Sequence, residues 1–271
     1  MQRTTTKEMV MTDTLLVDRA GAVTTITINR PAIRNAVDGA TMLAVRDAIE
    51  ACAGDGATRA IVLTGAGGAF CSGADLNMAV GPNTSPDSAW RVLTDAYHPA
   101  LLAIHNSRWP VIAAVDGVAA GIGCDLALAC DIRLVSARAQ FAELFIRVGL
   151  IPDGGGTWML PRLIGMGRAL ELMYTGASVP ADEARAIGLA SHVFPTEQFA
   201  SEVAAYAARL AAQAPLALTR IRRAVRTAQE STFADALAHE AELQREILGS
   251  ADGFEGFRAF LEKRKPVWRG E

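Results

Sequence analysis

The stretch VIAAVDGVAAGIGCD, residues 111–125, decides how this chain folds. Val111 to Val115 is an apolar run of strand length, and Asp116-Gly117 is a turn signal. Gly121 and Gly123 then open the apolar segment CDLALAC, long enough to begin a buried helix. A strand that feeds a glycine-lined turn and a helix leaves N–H groups without intrahelical acceptors at the helix start. Such donors suit an anion or a developing oxyanion. Taken by itself, the commoner meaning of such a stretch is a packing corner whose glycines let two backbones come close.

Related units lie on both sides. Residues 14–20 and 22–29 alternate about Gly21 and read as a β-hairpin, which Pro31 stops. Asp38 is placed to cap a helix over 39–53 with Met42, Val45, Ala48 and Ile49 as its apolar stripe. Ala60 to Thr64 is a buried strand that runs into GAGGAFCSGADL, residues 65–76. Residues 78–88 read as a mobile loop, and a helix over 88–106 leads to Pro110. Strand, glycine turn and helix thus recur three times before residue 130, which predicts right-handed β–β–α turns stacked into an α/β core. Further short strands are expected at 132–136 and 140–142, and a turn at 148–157. Helices follow at 165–175 and 181–187, then a strand at 190–194 and helices at 196–212, 215–229, 232–248 and 253–264. Phe233, Leu237, Ala241 and Leu248 line one face of a late helix, and Phe254, Phe257 and Leu261 line the last. Such faces cover either their own core or another subunit. The chain therefore divides into a disordered leader over 1–13, a core over 14–195 and a helical region over 196–271.

Composition narrows the function. The 271 residues are 51% hydrophobic and 20% charged, which describes a globular chain with a large core. A net charge of −3 argues against a chain-wide basic surface for nucleic acid. No apolar run reaches the roughly eighteen residues of a membrane span, and the polar N-terminus has no apolar core of a signal peptide. Cys52, Cys71, Cys124 and Cys130 form no C-x-x-C pair, so a reduced, cytoplasmic protein with structural thiols is expected. His98, His105, His192 and His239 have no i, i+4 partner or cysteine cluster, so no metal site is expected. The glycines of 65–75 and 117–123 fit neither a P-loop nor a dinucleotide fingerprint, and there is no G-x-S-x-G elbow. What remains is two turns rich in N–H groups and the carboxylates Asp125, Glu143 and Asp153. Each acid alone is more often a turn former or a solvated charge. Asp125 is the exception, because Cys124, Leu126, Ala127 and Leu128 around it are apolar. A carboxyl held there has a raised pKa, which suits proton transfer.

These residues carry a resemblance. NRPAIRNAV (29–37), GAGGAFCSGADL (65–76), PVIAAVDGVAAGIGCDLALACDIR (110–133), VGLIPDGGGTWMLPRLIG (148–165) and EGFRAFLEKRK (255–265) occur in order. The chain resembles the enoyl-CoA hydratase/isomerase family, the crotonases, from about residue 14 to residue 269. The resemblance implies a crotonase-like β–β–α superhelix as an acyl-CoA-binding core, with a C-terminal helical trimerisation region. It implies a homotrimer or dimer of trimers acting on an acyl-CoA thioester, with no cofactor beyond the CoA of the substrate. It assigns the two backbone donors of the oxyanion hole to Ala74, in SGAD, and Ile122, in AGIG, where many relatives carry glycine. A pre-placed donor typically contributes about 3 kcal/mol to such a transition state. Ser72, Ala74 and Leu76 match positions lining the adenine pocket, Arg34 is placed to meet the phosphates, and Phe260 and Lys263 match positions that reach CoA, in many relatives from a neighbouring subunit.

The reaction follows from the acids. The two-glutamate hydratases of the family carry acids at the positions of Asp125 and Phe145, and phenylalanine cannot activate water. Glu143 stands two residues from Phe145 and would replace it only through a change of local register. Acids at the position of Asp153 are the proton shuttles of several isomerase relatives, and LIPDGGGTWMLPR looks most like the epoxyphenylacetyl-CoA isomerases. The expectation is a double-bond or epoxide isomerase using Asp153, with Asp125 as a further proton donor. The alternatives are a hydratase using Asp125 with Glu143 or Asp153, and an acyl-CoA-binding trimer without turnover.

Overall fold

The computed structural model describes residues 10–76 and 85–271. Strand β1 (Val10–Thr12) runs antiparallel to β2 (Leu15–Ala20), which turns through Gly21 at φ +62° into β3 (Val23–Ile28). The expected hairpin is present. The leader expected over 1–13 is corrected at its end, because Val10 to Thr12 pair in the sheet. Residues 1–9 lie outside the described residues, as do 77–84, which take in the first part of the loop expected over 78–88.

Asp38 caps helix α1 (Gly39–Gly54) by accepting the Thr41 N–H at 2.8 Å, and Met42, Val45 and Ile49 are its buried stripe. Strand β4 (Ala60–Gly65) follows, parallel to β3. The single helix expected over 88–106 is three pieces: α2 (Pro86–Val92), a five-residue π turn at Leu93–Tyr97, and α3 (His98–His105). Pro99 gives the reason. It has no N–H for the carbonyl four residues back, and the helix takes in an extra residue there. The His98 N–H donates five residues back, to the Leu93 carbonyl.

Strand β5 (Val111–Val115) is buried on both faces. The sequence reading ran directly from its turn to a helix, whereas the structure inserts β6 (Val118–Ala120) before α4 (Ile122–Ala129). Three residues are too few for alternation to mark. Strands β7 (Ile132–Ser136) and β8 (Gln140–Ala142) fall where expected. Helix α5 (Gly156–Ile164) begins within the expected turn and was hidden by its glycines and by Pro161. Then come α6 (Met166–Thr175), β9 (Ser178–Pro180), α7 (Ala181–Ala186) and β10 (His192–Phe194). The chain ends in α8 (Phe199–Ala211), α9 (Pro215–Ala228), α10 (Phe233–Leu248) and α11 (Ala251–Leu261).

The large sheet has the order β1-β2-β3-β4-β5-β7-β10, parallel from β3 onward. A small sheet, β6-β8-β9, stands apart from it, and single bridges Val37–Ala74 and Cys71–Ala119 extend the same pairing. Each turn of the chain therefore gives one strand to the large sheet, a short extended segment to the small layer, and then helix. This is the stacked β–β–α arrangement expected. Phe199, Val203, Ala207 and Ala211 of α8, spaced by fours, cover one face of the large sheet against Val62, Ile112, Ala114 and Leu134. Helix α9 docks through charge: Arg222 and Arg226 reach Asp131 at 2.8 and 2.9 Å. Among the described residues no helix is long and apolar enough to cross a membrane.

Candidate active site

Two glycines bring the N–H-rich turns together. A Cβ on Gly123 would strike the Cys71 carbonyl, and one on Gly73, at φ +119°, would lie 3.2 Å from the Ala120 oxygen. The Ala120 N–H donates to Cys71 at 3.0 Å, so residues 71–74 and 120–123 run side by side. Val37 bonds to Gly73 and Asp75 on either side of Ala74, which turns the Ala74 N–H away from that bridge. Ile122 is the first residue of α4, where helix geometry supplies no acceptor. Among the described residues neither N–H has an acceptor. Gly121 makes the corner at φ +52° and ψ −128°, beside the Phe145 ring.

The expected CoA positions divide into two groups. Ser72 and Arg34 meet: the Ser72 N–H donates to the Arg34 carbonyl at 3.0 Å, and Ser72 Oγ donates to Ile33 at 3.1 Å. Arg34 is exposed with φ +51°, and Leu76 is exposed too. Sequence reasoning missed what holds this edge. Buried Asn35, at φ +59°, donates to Ala66 and Ala69 at 2.8 and 2.7 Å and accepts the Arg30 N–H at 2.9 Å. Phe260 lies in the last turn of α11 and Lys263 two residues beyond its end, both exposed, and α11 packs on α10 rather than on the Arg34–Ser72 edge. Within one protomer the structure does not bring the two groups together.

The carboxylates converge behind the turns. Asp125 is wholly buried, and its Oδ2 accepts the Gly154 N–H at 3.1 Å. A Cβ on Gly154 would strike Ile122 Cδ1, so the Asp153-Gly154 turn lies against the candidate donor. Burial raises the Asp125 pKa well above the usual range, and the charges of Glu143 and Asp153 add to it. Burial likewise pushes Glu143 up to about 7, an effect the neighbouring Cys124 thiol partly offsets. The apolar setting read around Asp125 thus has the expected consequence, and Glu143 reaches it without a change of register. Asp153 differs, since it is only part-buried. Burial raises its pKa, and His98 beside it partly opposes the shift. His98 Nε2 lies 3.0 Å from the Asp153 carbonyl oxygen. No spacing rule singles out His98; Pro99 in an otherwise helical run was the available signal for the bulge that sets its position. Among the described residues no group of three or more His, Cys, Asp or Glu side chains is arranged for a metal ion.

A superhelix of β–β–α turns with paired N–H donors and nearby acids defines an acyl-CoA enzyme of the crotonase class. The family model for enoyl-CoA hydratase/isomerase matches residues 18–271. The chain belongs to that family. It is 40% identical over 245 residues to a probable enoyl-CoA hydratase of Rhodobacter capsulatus, covering 90% of this chain and 93% of the relative. It is 36% identical over 250 residues to the 1,2-epoxyphenylacetyl-CoA isomerase of Escherichia coli, covering 92% of this chain and 95% of that one. The crystal structure of enoyl-CoA hydratase from Bacillus anthracis superposes with a TM-score of 0.91 at 31% identity, covering 95% of this chain and all of that one.

Proposed function

We propose that the protein isomerises an enoyl-CoA thioester, with Asp153 moving the proton. The observation that carries this reading is the contrast among the three acids. Asp153 alone is only part-buried, and its turn packs on Ile122, whereas Asp125 and Glu143 are buried. In the proposed reaction Asp153 takes a proton from the carbon beside the thioester carbonyl. The electron pair moves onto the thioester oxygen, held by the Ala74 and Ile122 N–H groups. The same carboxyl then returns its proton two carbons further along, and the double bond shifts into conjugation. A base with a raised pKa works near neutral pH, where proton uptake and release are both accessible. The aromatic ring of Phe145 shields the corner from water.

Arg34, Ser72 and Leu76 are the proposed CoA contacts. The exposed Phe260 and Lys263 fit this role from a neighbouring subunit, in a cytoplasmic homotrimer or dimer of trimers. No cofactor is proposed beyond the CoA of the substrate. Hydration by Asp125 with Glu143 is the second reading, favoured by their close placement around Gly156.

Conversion of 3-enoyl-CoA to 2-enoyl-CoA by the purified protein tests the proposal. Asp153→Asn is expected to lower turnover by about 10²–10⁴-fold. Unchanged turnover removes Asp153 from the mechanism. Oxygen-18 from solvent in a 3-hydroxyacyl-CoA product selects the hydratase reading.

A further inference from the structure

Glu143 has no part in the isomerisation just described, yet its carboxyl is buried in the core at a cost. It is 3% exposed, and neither carboxyl oxygen has a hydrogen-bond partner in the protein. Asp125 Oδ1, also buried, has none. Both acids look at one point. A Cβ placed on Gly156 would collide with Asp125 Oδ1 and lie 3.3 Å from Glu143 Oε1. Two carboxylates that face each other in a low-dielectric interior cannot both stay ionised, and they titrate as one unit. The groups that face them act in both directions. Asp153 lies beyond Asp125 and its charge adds to the shift, whereas the Cys124 thiol of α4, neutral beside Glu143, and the Gly154 and Gly156 N–H groups at Asp125 partly offset it.

We propose that Asp125 and Glu143 form a buried acid pair that shares one proton across the Gly156 backbone and positions the Asp153 turn. Asp125 Oδ2 holds the Gly154 N–H, one residue from the Asp153 carboxyl. The shared proton leaves the pair with a single negative charge. Loss of that proton puts a second charge behind Asp153 and raises the pH at which Asp153 ionises. Glu143 is thus a positioning residue. It touches no substrate and acts by fixing the charge of its neighbour. This role rests on the assignment of Asp153 as the proton shuttle, but the shared proton can be read without any turnover.

The experiment is an infrared pH titration of the unliganded protein, following the carbonyl band of protonated carboxyl groups. A buried protonated carboxyl that loses its proton in a step near neutral pH is expected. In Glu143→Gln that step should move down by more than one pH unit, because the amide supplies a donor and removes the like charge. In Asp125→Asn the remaining Glu143 should also titrate lower than the pair. If the wild-type protein shows no protonated carboxyl near neutral pH, the proposal is overturned, and this readout needs no variant to fold. A wild-type step that persists unshifted in both variants overturns it as well. The positioning role is read from the pH profile of kcat. Glu143→Gln keeps the charge behind Asp153 at one above the wild-type step as well, so the part of the limb assigned to Asp153 that lies above that step should shift toward lower pH while KM changes little. A uniform loss of kcat at every pH, with no shift, overturns the positioning role. If Asp153→Asn abolishes isomerisation but the infrared step is absent, this inference falls and the isomerase reading stands. If the step is present but Asp153→Asn turns over normally, the reverse holds.

Discussion

Gly156 packs where a methyl group would strike Asp125 Oδ1. Gly156→Ala should therefore cost about 1–3 kcal/mol through overpacking. Gly249→Ala, whose Cβ would meet only the Arg245 and Glu246 carbonyl oxygens at 3.6 and 3.7 Å, should be nearly neutral. Urea midpoints of the two variants check this. The raised acid carries its own signature. The folded protein holds the Glu143 proton more tightly than the unfolded chain does, so this contribution to stability is present at low pH. It is lost as pH rises from 4.5 to about 7. Relative to wild type, Glu143→Gln should flatten the pH dependence of stability in that window by on the order of 3 kcal/mol. Unfolding curves at several pH values measure it, and parallel wild-type and variant profiles would refute it. At this scale the sequence shows half of the pair. Asp125 declares itself through apolar chain neighbours. Glu143 does not, because its partner lies across a strand-to-helix crossing rather than beside it in the chain.

Among the elements, those set by alternation or capping are legible and those set by exceptions are not. The β2–β3 hairpin and the Asp38 cap of α1 follow from local chemistry. The short β6 and β9 do not, because they are strands only by pairing on either side of β8. Helix α9 shows the same limit in another form. Its pattern announces an amphipathic helix, but its docking is polar: Arg222 and Arg226 hold Asp131, and Arg222 also donates to the Ile104 and Ser107 carbonyls. Asp131 in turn accepts the Val111 N–H at 2.8 Å, which ties α9 to β5. Asp131→Asn should loosen α9 from the sheet at a cost of about 2 kcal/mol, since it leaves two part-buried guanidinium groups underpaired. Hydrogen exchange should then quicken along α9 and α10 while β4 and β5 stay protected. Uniform protection in the variant would show that apolar contacts suffice to hold the helix.

For the whole molecule, a group of exposed apolar side chains lies at the C-terminal end. Phe233, Phe254, Phe257, Phe260 and Leu261 are all more than half exposed. Such a surface suits subunit contact. The proposed assembly predicts a trimer or a multiple of it by sedimentation, and Phe254→Asp with Phe257→Asp should release smaller species. A wild-type monomer would refute the assembly. The five motifs made the superhelix legible before any coordinates. Chain order alone does not show that Arg34 and Phe260 lie apart; only the family resemblance, in which such C-terminal positions reach CoA from a neighbouring subunit in many relatives, allowed for it. One further property follows from the four cysteines, all free and all buried. Burial pushes the Cys71 and Cys130 thiols up to about 12 and Cys124 well above its ordinary value. Alkylating reagents attack the thiolate, so the native protein should be almost inert to them. Each cysteine then becomes a timer for the opening of its own neighbourhood: Cys52 for α1, Cys71 and Cys124 for the paired turns, Cys130 for the seat of α9. Labelling order, read by mass spectrometry, would map which part of the molecule breathes first.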